Sequence, residues 1–298
     1  MKIIITGGAG YIGSHVVLAA LDRGYDVTVF DDLSTANKKN INLKTKFIQG
    51  SINSKEDLSK LFANDKYDAV IHLAASKASG ESMLNPKKYA QNNIIGSLNI
   101  LISCIDHGVK YFIFSSSAAV YGNPRYHPID ELHPLKPSSY YGYTKLSTEN
   151  SLEWFSKIHD IKYSSLRYFN AAGYDTKNRI LGKEKKTENL IPLIMEVAKR
   201  NKFFIPIYGN DYATKDGTGI RDYVHVSDLA IAHISALEYL RKNSKNLILN
   251  LGSERGFSVL EIIEKTKKIL KVDIHTFHQR FWWARRHPRR GLDYYASI

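Results

Sequence analysis

Thr6-Gly-Gly-Ala-Gly-Tyr-Ile-Gly13 lies between the apolar run Ile3–Thr6 and a segment with helical spacing, Ser14–Arg23. The stretch contains three evenly spaced glycines: Gly7, Gly10 and Gly13. Glycines at this spacing permit a tight turn and let the backbone approach a pyrophosphate at the N-terminus of a helix. A strand, a glycine turn and a helix in this order therefore predict the first unit of a dinucleotide-binding sheet.

Further apolar runs recur along the chain at the spacing of parallel strands. They are Asp26–Phe30, Lys46–Ile48, Ala69–Leu73, Tyr111–Ser115, Ser164–Tyr168 and Leu247–Leu251. Segments with helical spacing lie between them, and these are Glu56–Phe62, Pro86–His107 and Tyr141–His159. Strands that alternate with helices through short connections predict an α/β fold with a doubly wound parallel sheet of the Rossmann type. Such a sheet binds its ligands beyond the carboxyl ends of its strands.

An acidic pair closes the second of these strands, in Phe30-Asp31-Asp32. Asp31 follows the glycines by about 20 residues, the distance at which a carboxylate accepts the hydroxyls of the adenosine ribose. An acid at this position disfavours the extra phosphate of NADP, so NAD is the expected cofactor. Lys38 and Lys39 leave NADP open, and a glycine turn with a helix-capping aspartate is the purely structural alternative.

A possible catalytic group follows in Ser115-Ser-Ser117 and Tyr141-Gly-Tyr-Thr-Lys145. Tyr141 and Lys145 are four residues apart and therefore share one face of a helix. Removal of hydride from an alcohol carbon needs a base, and a nearby ammonium favours a tyrosine phenolate at neutral pH. Ser117 can hydrogen-bond the same substrate oxygen. The pattern predicts Ser117, Tyr141 and Lys145 as catalytic residues, and a packed aromatic on a surface helix is the alternative for Tyr141.

The composition restricts the class of protein. One cysteine, Cys104, excludes an internal disulfide and a multi-cysteine metal site, and it fits a reducing cytoplasm. No apolar segment is long enough for a membrane helix, so no membrane partner is expected. The net charge of +13 suggests nucleic-acid binding, but the lysines are dispersed rather than clustered with aromatics, so a phosphate-bearing substrate is the better expectation. No metal is expected, although His275, His278 and His287 occur close together.

The chain resembles the extended short-chain dehydrogenase/reductase family, and within it the UDP-glucose 4-epimerases, over residues 1–274. The stretches that carry the resemblance are Thr6–His15, Asp31–Thr35, Ala75–Ser82 with Asn92-Asn93, Phe114–Gly122, Tyr141–Glu149, Arg167–Gly173 and Tyr208–His225. Related dehydratases usually carry Thr-Asp-Glu where this chain has Ser115-Ser-Ser117. The resemblance implies that UDP-galactose and UDP-glucose are interconverted by transient NAD-dependent oxidation at C4, through a 4-ketosugar.

The resemblance also implies which residues bind the two ligands. With the residues already named, the expected cofactor-binding set is Gly7, Gly10, Tyr11, Ile12, Gly13, Asp31, Asp32, Ser51, Ile52, Lys77, Asn92, Tyr141, Lys145 and Tyr168. The expected substrate-binding set is Lys77, Ser117, Tyr141, Asn170, Asn189, Tyr208 and Arg221. Simpler alternatives are a turn asparagine at Asn170, a helix cap at Asn189, a surface ion pair at Arg221 and a solvated loop lysine at Lys77.

The strict alternation of strand and helix ends after Asn170. We expect residues 1–172 and 219–252 to form the NAD-binding domain, and residues 173–218 with 253–298 to form a smaller, incomplete α/β cap that binds the UDP-hexose. The resemblance further implies a homodimer that associates through helices such as Pro86–His107 and Tyr141–His159, although their apolar faces could equally belong to the core, and the cysteine usage favours a cytoplasmic location. Another nucleotide-sugar epimerase, or an NAD-binding relic with impaired substrate affinity, is the alternative function.

Two stretches depart from the family pattern. Gln49-Gly-Ser51 has serine where the family usually has an aspartate that contacts the adenine, which predicts weaker cofactor binding. Residues 275–298 contain five arginines, two of the three tryptophans and no lysine, although lysine is abundant upstream. This abrupt change suggests a shifted reading frame followed by early termination, which would lower the affinity for the substrate.

Overall fold

The computed structural model of the chain describes residues 1–63, 65–182 and 189–279. The strands in these ranges are β1 Lys2–Thr6, β2 Asp26–Asp31, β3 Lys46–Gln49, β4 Ala69–His72, β5 Tyr111–Ser115, β6 Lys162–Tyr168, β7 Asn170–Ala172, β8 Ile205–Tyr208, β9 Ile220–His225, β10 Leu247–Leu251, β11 Gly256–Ser258 and β12 Thr276–Gln279. The helices are α1 Tyr11–Asp22, α2 Lys55–Ala63, α3 Ser79–Leu84, α4 Pro86–Tyr89, α5 Gly96–Asp106, α6 Tyr140–Ile158, α7 Leu190–Ala198, α8 Val226–Asn243 and α9 Val259–Leu270. Residues 280–298, which include most of the atypical tail, lie outside the described ranges.

The central sheet has seven strands in the order β10-β6-β5-β4-β1-β2-β3, and its neighbouring strands are all parallel. These are the seven strands that the apolar runs predict. The order runs outward from β1 in one direction and from β4 in the other, which confirms the doubly wound fold. A crevice therefore opens between the carboxyl ends of β1 and β4, where such sheets bind dinucleotides.

Both faces of this sheet are buried, because successive side chains of a strand alternate between its faces. Ile4 belongs to the core beneath α2, α5 and α6, whereas Ile3 and Ile5 belong to the core beneath α1 and α8. All three isoleucines are completely buried. Continuous apolar strands covered by helices on both sides are typical of parallel sheets, so the sequence pattern and the layer structure agree.

The predicted helical segment Pro86–His107 is helical in the structure, but its helix type changes along its length. After α4, residues Ala90–Ile95 form a π-helical segment that leads into α5. A π turn carries one extra residue per turn and so rotates the side chains that follow it. The prediction of a helical segment is confirmed, because helix runs without a break from Pro86 to Asp106, and the change of helix type inside it sets the direction of its asparagines.

A second, smaller core lies outside the central sheet. Its buried residues are Ile194, Val197, Ile205, Ile207, Ile263 and Ile274. They come from α7, β8, α9 and the residues just before β12, which pairs with β8 in a two-stranded sheet. The contributing stretches fall within the ranges predicted for the cap, while the domain boundaries themselves stay a prediction. In the described part of the chain, no helix has the length and apolarity needed to cross a membrane.

Candidate active site

The glycine turn connects β1 to α1 at the central crevice. Gly7 has φ +69°, and a Cβ added to it would lie 2.7 Å from the backbone nitrogen of Ala74. A Cβ on Gly13 would lie 2.1 Å from the carbonyl oxygen of Gly7, so neither position accepts a side chain. The helix α1 begins after Gly10 without a side-chain cap. Its N-terminal amides are therefore suited to an anionic phosphate.

Asp31 ends β2 beside this turn and is buried. One of its carboxylate oxygens accepts a hydrogen bond from the backbone N–H of Ala9 at 3.0 Å, and the other accepts from Leu33 N–H at 2.9 Å. Each carboxylate oxygen has two acceptor positions, so hydroxyls of a ribose can be bound in addition. Asp31 thus supports the glycine turn, and its predicted contact with the cofactor stays a prediction. Asp32 accepts a hydrogen bond from the N–H of Ser34 at 2.9 Å.

Lys145 is the most deeply buried member of the predicted catalytic group, with 4% of its surface exposed. Its Nζ donates a hydrogen bond to the carbonyl oxygen of Ser115 at 2.7 Å. The same nitrogen lies 5.8 Å from the centre of the Tyr141 ring. Burial lowers the pKa of Lys145 to about 7, and the nearby carboxylate of Glu149 opposes this shift. The ammonium is therefore close enough to stabilise a phenolate on Tyr141.

Ser117 approaches Tyr141 and Lys145 from the end of β5. Its hydroxyl oxygen accepts a hydrogen bond from Ala119 N–H at 3.2 Å and caps a short 3-10 turn at Ala118–Val120. The start of α6 packs tightly on this turn, since a Cβ added to Gly142 would lie 2.4 Å from the carbonyl oxygen of Ala119. This contact brings the turn that contains Ser117 against Tyr141, which is half-buried and precedes Gly142.

Asn93 lies in one of the stretches that carry the family resemblance, but no role is predicted for it from the sequence. Its side-chain amide accepts from Ser76 N–H at 2.8 Å and donates to the Ser76 carbonyl at 2.9 Å and to Thr144 Oγ1 at 3.1 Å. Asn93 thus ties the loop before α3, which carries Lys77, to the helix that carries Tyr141 and Lys145. The π-helical turn places it there, and residue spacing could not have revealed that.

The neighbouring Asn92, predicted to bind the cofactor, donates a hydrogen bond to Ser76 Oγ at 3.2 Å. Lys77 is exposed on the loop just before α3. Ser51 Oγ accepts from Asn53 N–H at 3.2 Å, while Ile52 is buried in the core. The roles predicted for these residues with the cofactor stay predictions.

Two predicted cofactor residues have aromatic surroundings. Tyr11 stacks on Tyr174, with ring centres 5.9 Å apart, and its hydroxyl donates to the carbonyl oxygen of Gly173 at 2.6 Å. Burial raises the pKa of Tyr168 to about 12, and its ring lies 6.2 Å from that of His233. Tyr168 is therefore a neutral phenol at physiological pH. Ile12 is half-buried and packs against the core beneath α1.

The remaining predicted substrate residues lie outside the central sheet. Asn170, on β7, donates to the carbonyl oxygen of Asp222 at 3.1 Å, and Arg221, on β9, donates to that of Ile220 at 2.7 Å. Tyr208 ends β8 with 41% of its surface exposed. Asn189 occupies the N-cap position of α7, but its side chain makes no capping hydrogen bond. This observation weakens the alternative that Asn189 serves only as a helix cap.

His233, on α8, is not among the residues predicted from the sequence. It contacts Ser115, whose carbonyl oxygen accepts the hydrogen bond from Lys145. Its Nδ1 lies 2.7 Å from the carbonyl oxygen of Leu229, and its Nε2 lies 2.7 Å from Ser115 Oγ. Because a carbonyl can only accept, Nδ1 carries the proton, and Nε2 accepts from the Ser115 hydroxyl. Burial lowers the pKa of His233 to about 4, so the ring is neutral. Within the described ranges, no group of three or more His, Cys, Asp or Glu side chains could hold a metal ion.

The chain is similar in sequence and in structure to known proteins. The family model described as "NAD dependent epimerase/dehydratase family" matches residues 3–252. A UDP-glucose 4-epimerase from Lactobacillus helveticus is 44% identical over 294 residues, which cover 98% of this chain and 86% of that protein. The crystal structure of a Brucella ovis UDP-glucose 4-epimerase in complex with NAD is similar with a TM-score of 0.90 and 37% identity, covering 94% of this chain and 86% of that one. A Bifidobacterium longum UDP-glucose 4-epimerase in complex with NAD+ and UDP is similar with a TM-score of 0.89 and 33% identity, at the same coverage.

Proposed function

We propose, from the premise that this chain belongs to the NAD-dependent epimerase/dehydratase family, that it interconverts UDP-galactose and UDP-glucose with NAD as cofactor. One observation carries the proposal. Lys145 is buried with its ammonium 5.8 Å from the Tyr141 ring, at the carboxyl end of the parallel sheet that also carries the glycine turn. A catalytic base and a dinucleotide site at the same edge of a sheet suit hydride removal from an alcohol carbon.

The residues of this chain then account for the proton transfer. The Lys145 ammonium stabilises the Tyr141 phenolate, which accepts the proton of the sugar 4-hydroxyl. Ser117 hydrogen-bonds the same oxygen as negative charge develops on it. Bound NAD supplies reversible hydride acceptance at C4. Tyr141 returns the proton to the 4-oxygen when the other face of the sugar carbon is reduced, so the reaction has no net redox change and the cofactor stays in place.

The cofactor fits the residues present. Gly7 and Gly13 leave no room for side chains and allow close approach of the backbone to a pyrophosphate, while the uncapped start of α1 suits its charge. In this proposal Asp31 accepts the ribose hydroxyls and repels the additional phosphate of NADP. We assign the rest of the cofactor site to Tyr11, Ile12, Asp32, Ser51, Ile52, Lys77, Asn92 and Tyr168.

The UDP-hexose is proposed to contact Lys77, Asn170, Asn189, Tyr208 and Arg221. Asn170 and Arg221 are supported by their places on the paired strands β7 and β9, next to the end of β6. Arg221 supplies a guanidinium suited to a diphosphate. A panel of UDP-sugars with N-acetyl, uronate and pentose groups separates this proposal from the rival that the chain acts on another nucleotide sugar.

We also propose that the protein is a homodimer in the cytoplasm. Side chains on the adjacent helices α5 and α6 are apolar and exposed: Ile102, Trp154 and Ile158 have 45%, 62% and 69% of their surface accessible. Apolar surface on neighbouring helices favours two-fold association. Trp154→Glu should convert the species seen in analytical ultracentrifugation from dimer to monomer. A monomeric wild type would overturn this part of the proposal.

Conversion of UDP-galactose to UDP-glucose by the 298-residue chain with added NAD tests the activity. Tyr141→Phe should abolish turnover, and Tyr143→Phe is the matched control because Tyr143 lies on the same helix with 50% of its surface exposed. Turnover that survives Tyr141→Phe would refute the mechanism. Bound NAD without any turnover in the wild type would instead favour the relic with impaired substrate binding.

A further inference from the structure

Glu149 is a buried carboxylate one helical turn beyond Lys145, with 4% of its surface exposed. It accepts a short hydrogen bond from the Ser116 hydroxyl. Arg167 binds it through two nitrogens, with Nε 3.0 Å from Oε1 and Nη2 2.6 Å from Oε2. Three donors therefore converge on this carboxylate in a buried region, where the loss of one partner is costly.

Arg167 connects Glu149 to the central sheet. Its Nη1 donates to the Tyr121 hydroxyl at 3.0 Å, and that hydroxyl donates to Asn250 Oδ1 at 2.7 Å. Burial would lower the pKa of Arg167, but its bonds to Glu149 raise it above the ordinary value. The guanidinium is therefore permanently charged and needs the carboxylate as its counter-ion.

The contacts of Glu149 coincide with the serine run at the end of β5. The Ser115 carbonyl accepts from Lys145, the Ser116 hydroxyl donates to Glu149, and Ser117 lies in the turn that packs beside Tyr141. Since the three serines are consecutive, a bond that holds Ser116 to α6 also sets the position of its two neighbours relative to that helix.

The charge of Glu149 matters for Lys145 as well. The titratable or charged groups that face Lys145 are Tyr141 and Glu149 on α6 and His72 on β4. Arg167 on β6 is connected to Lys145 through Glu149, and Tyr168 and His233 are connected to it through Ser115. Burial, and then the charge of Lys145, lower the pKa of His72 to about 3, so that ring is neutral. Glu149 is the one carboxylate in this set, and it offsets the positive charge of Arg167.

We propose that Glu149 is a positioning residue for the reaction, which aligns the serine run with α6 and keeps Lys145 in its charged form. The inference rests on the proposed epimerase function. Glutamine at this position presents an amide NH2 to one of the existing donors and leaves Arg167 as an uncompensated buried cation. Repulsion from that cation lowers the pKa of Lys145 further, and Tyr141 then loses its ammonium partner at neutral pH.

The test compares Glu149→Gln, Glu149→Gln with Arg167→Met, and Glu153→Gln. Glu153 is the matched control because it lies one turn further along α6 in an exposed pair with Lys157 at 2.6 Å. The pH profiles of kcat and KM are measured together with the thermal midpoint and the amount of bound NAD. In Glu149→Gln the alkaline limb of kcat should move down by about one pH unit, which lowers kcat about tenfold above the new limb.

The double variant lacks both buried charges, so its alkaline limb should return toward that of the wild type, and Glu153→Gln should leave the profile unchanged. A uniform fall in kcat with an unmoved limb would overturn the proposal, because that is the result of a merely structural role. The phenolate of Tyr141 can also be titrated by ultraviolet difference spectroscopy against Tyr141→Phe. Since this titration needs no turnover, it tests Glu149 even if the proposed epimerase activity fails, and an unshifted titration in Glu149→Gln would overturn the proposal.

Discussion

Replacement of Lys145 by methionine should separate activity from stability. Methionine keeps an unbranched chain in the buried position but removes the ammonium that lies 5.8 Å from the Tyr141 ring. With an effective dielectric constant of about 20, two unit charges at roughly 6 Å interact by about 3 kcal/mol. This energy corresponds to about two pKa units, so the phenolate of Tyr141 should form at a pH about two units higher and its fraction below that pH should fall about a hundredfold.

Stability should change in the opposite direction. The pKa of Lys145 in the folded protein is about 7, below its ordinary value of 10.5, because burial disfavours the charged form. Between these two values the unfolded chain binds more protons than the folded one, so the wild type gains stability as the pH rises through this window. Below pH 7 the folded protein bears the full free-energy cost of burying the charged Lys145. The lowered pKa sets an upper limit of about 5 kcal/mol on this cost. Lys145→Met should therefore raise the thermal midpoint at pH 6 and lose this advantage towards pH 10.5.

Initial rates of UDP-galactose conversion between pH 5 and 10, with thermal midpoints at the same pH values, measure both effects. Lys157→Met is the control, because Lys157 lies on the same helix in an exposed pair with Glu153. Two results would refute the reasoning. One is an acid limb of kcat that does not move in Lys145→Met, and the other is a midpoint that falls equally at all pH values.

Three further perturbations have defined outcomes. Asp31→Asn removes the charge that is placed for the ribose hydroxyls, so the Kd for NAD in a fluorescence titration should rise at least about tenfold, and an unchanged Kd would contradict this role. Asn93→Leu leaves the backbone groups of Ser76 without their partner, so urea unfolding should show a loss of about 3 kcal/mol, and a loss below about 1 kcal/mol would show that other groups replace the amide. Burial lowers the pKa of His72 to about 3 and that of His233 to about 4, from 6.5, so on acidification the unfolded chain takes up protons first. The contribution of the two histidines to stability should be fully present above pH 6.5 and decline as the pH falls towards 4, and a thermal midpoint that stays flat over this range would contradict their neutral burial.

The sequence alone was sufficient for the sheet. Each of the seven predicted runs is a strand of the central sheet, because strands covered on both faces are mostly apolar within their own few positions. The glycine turn is largely local, since Gly7 has a positive φ and a Cβ on Gly13 would meet the carbonyl oxygen of Gly7, although Gly7 also packs against the backbone of the distant Ala74. Predicted residues such as Ser117, Tyr141 and Lys145 follow from short motifs in the same way.

Other features depend on which distant segments pack together, and no local pattern contains that information. The π-helical turn that directs Asn93 towards Ser76 and Thr144 lies inside a helical segment whose sequence spacing does not reveal the change of helix type. Glu149 meets Arg167 across 18 residues, and Ser115 meets His233 across 118. Local periodicity and turn chemistry therefore determined the parallel sheet, the dinucleotide turn and the catalytic motif. Only the tertiary structure decided the burial and the partners of Lys145, because the energy of a buried charge is set by all the groups that surround it in space.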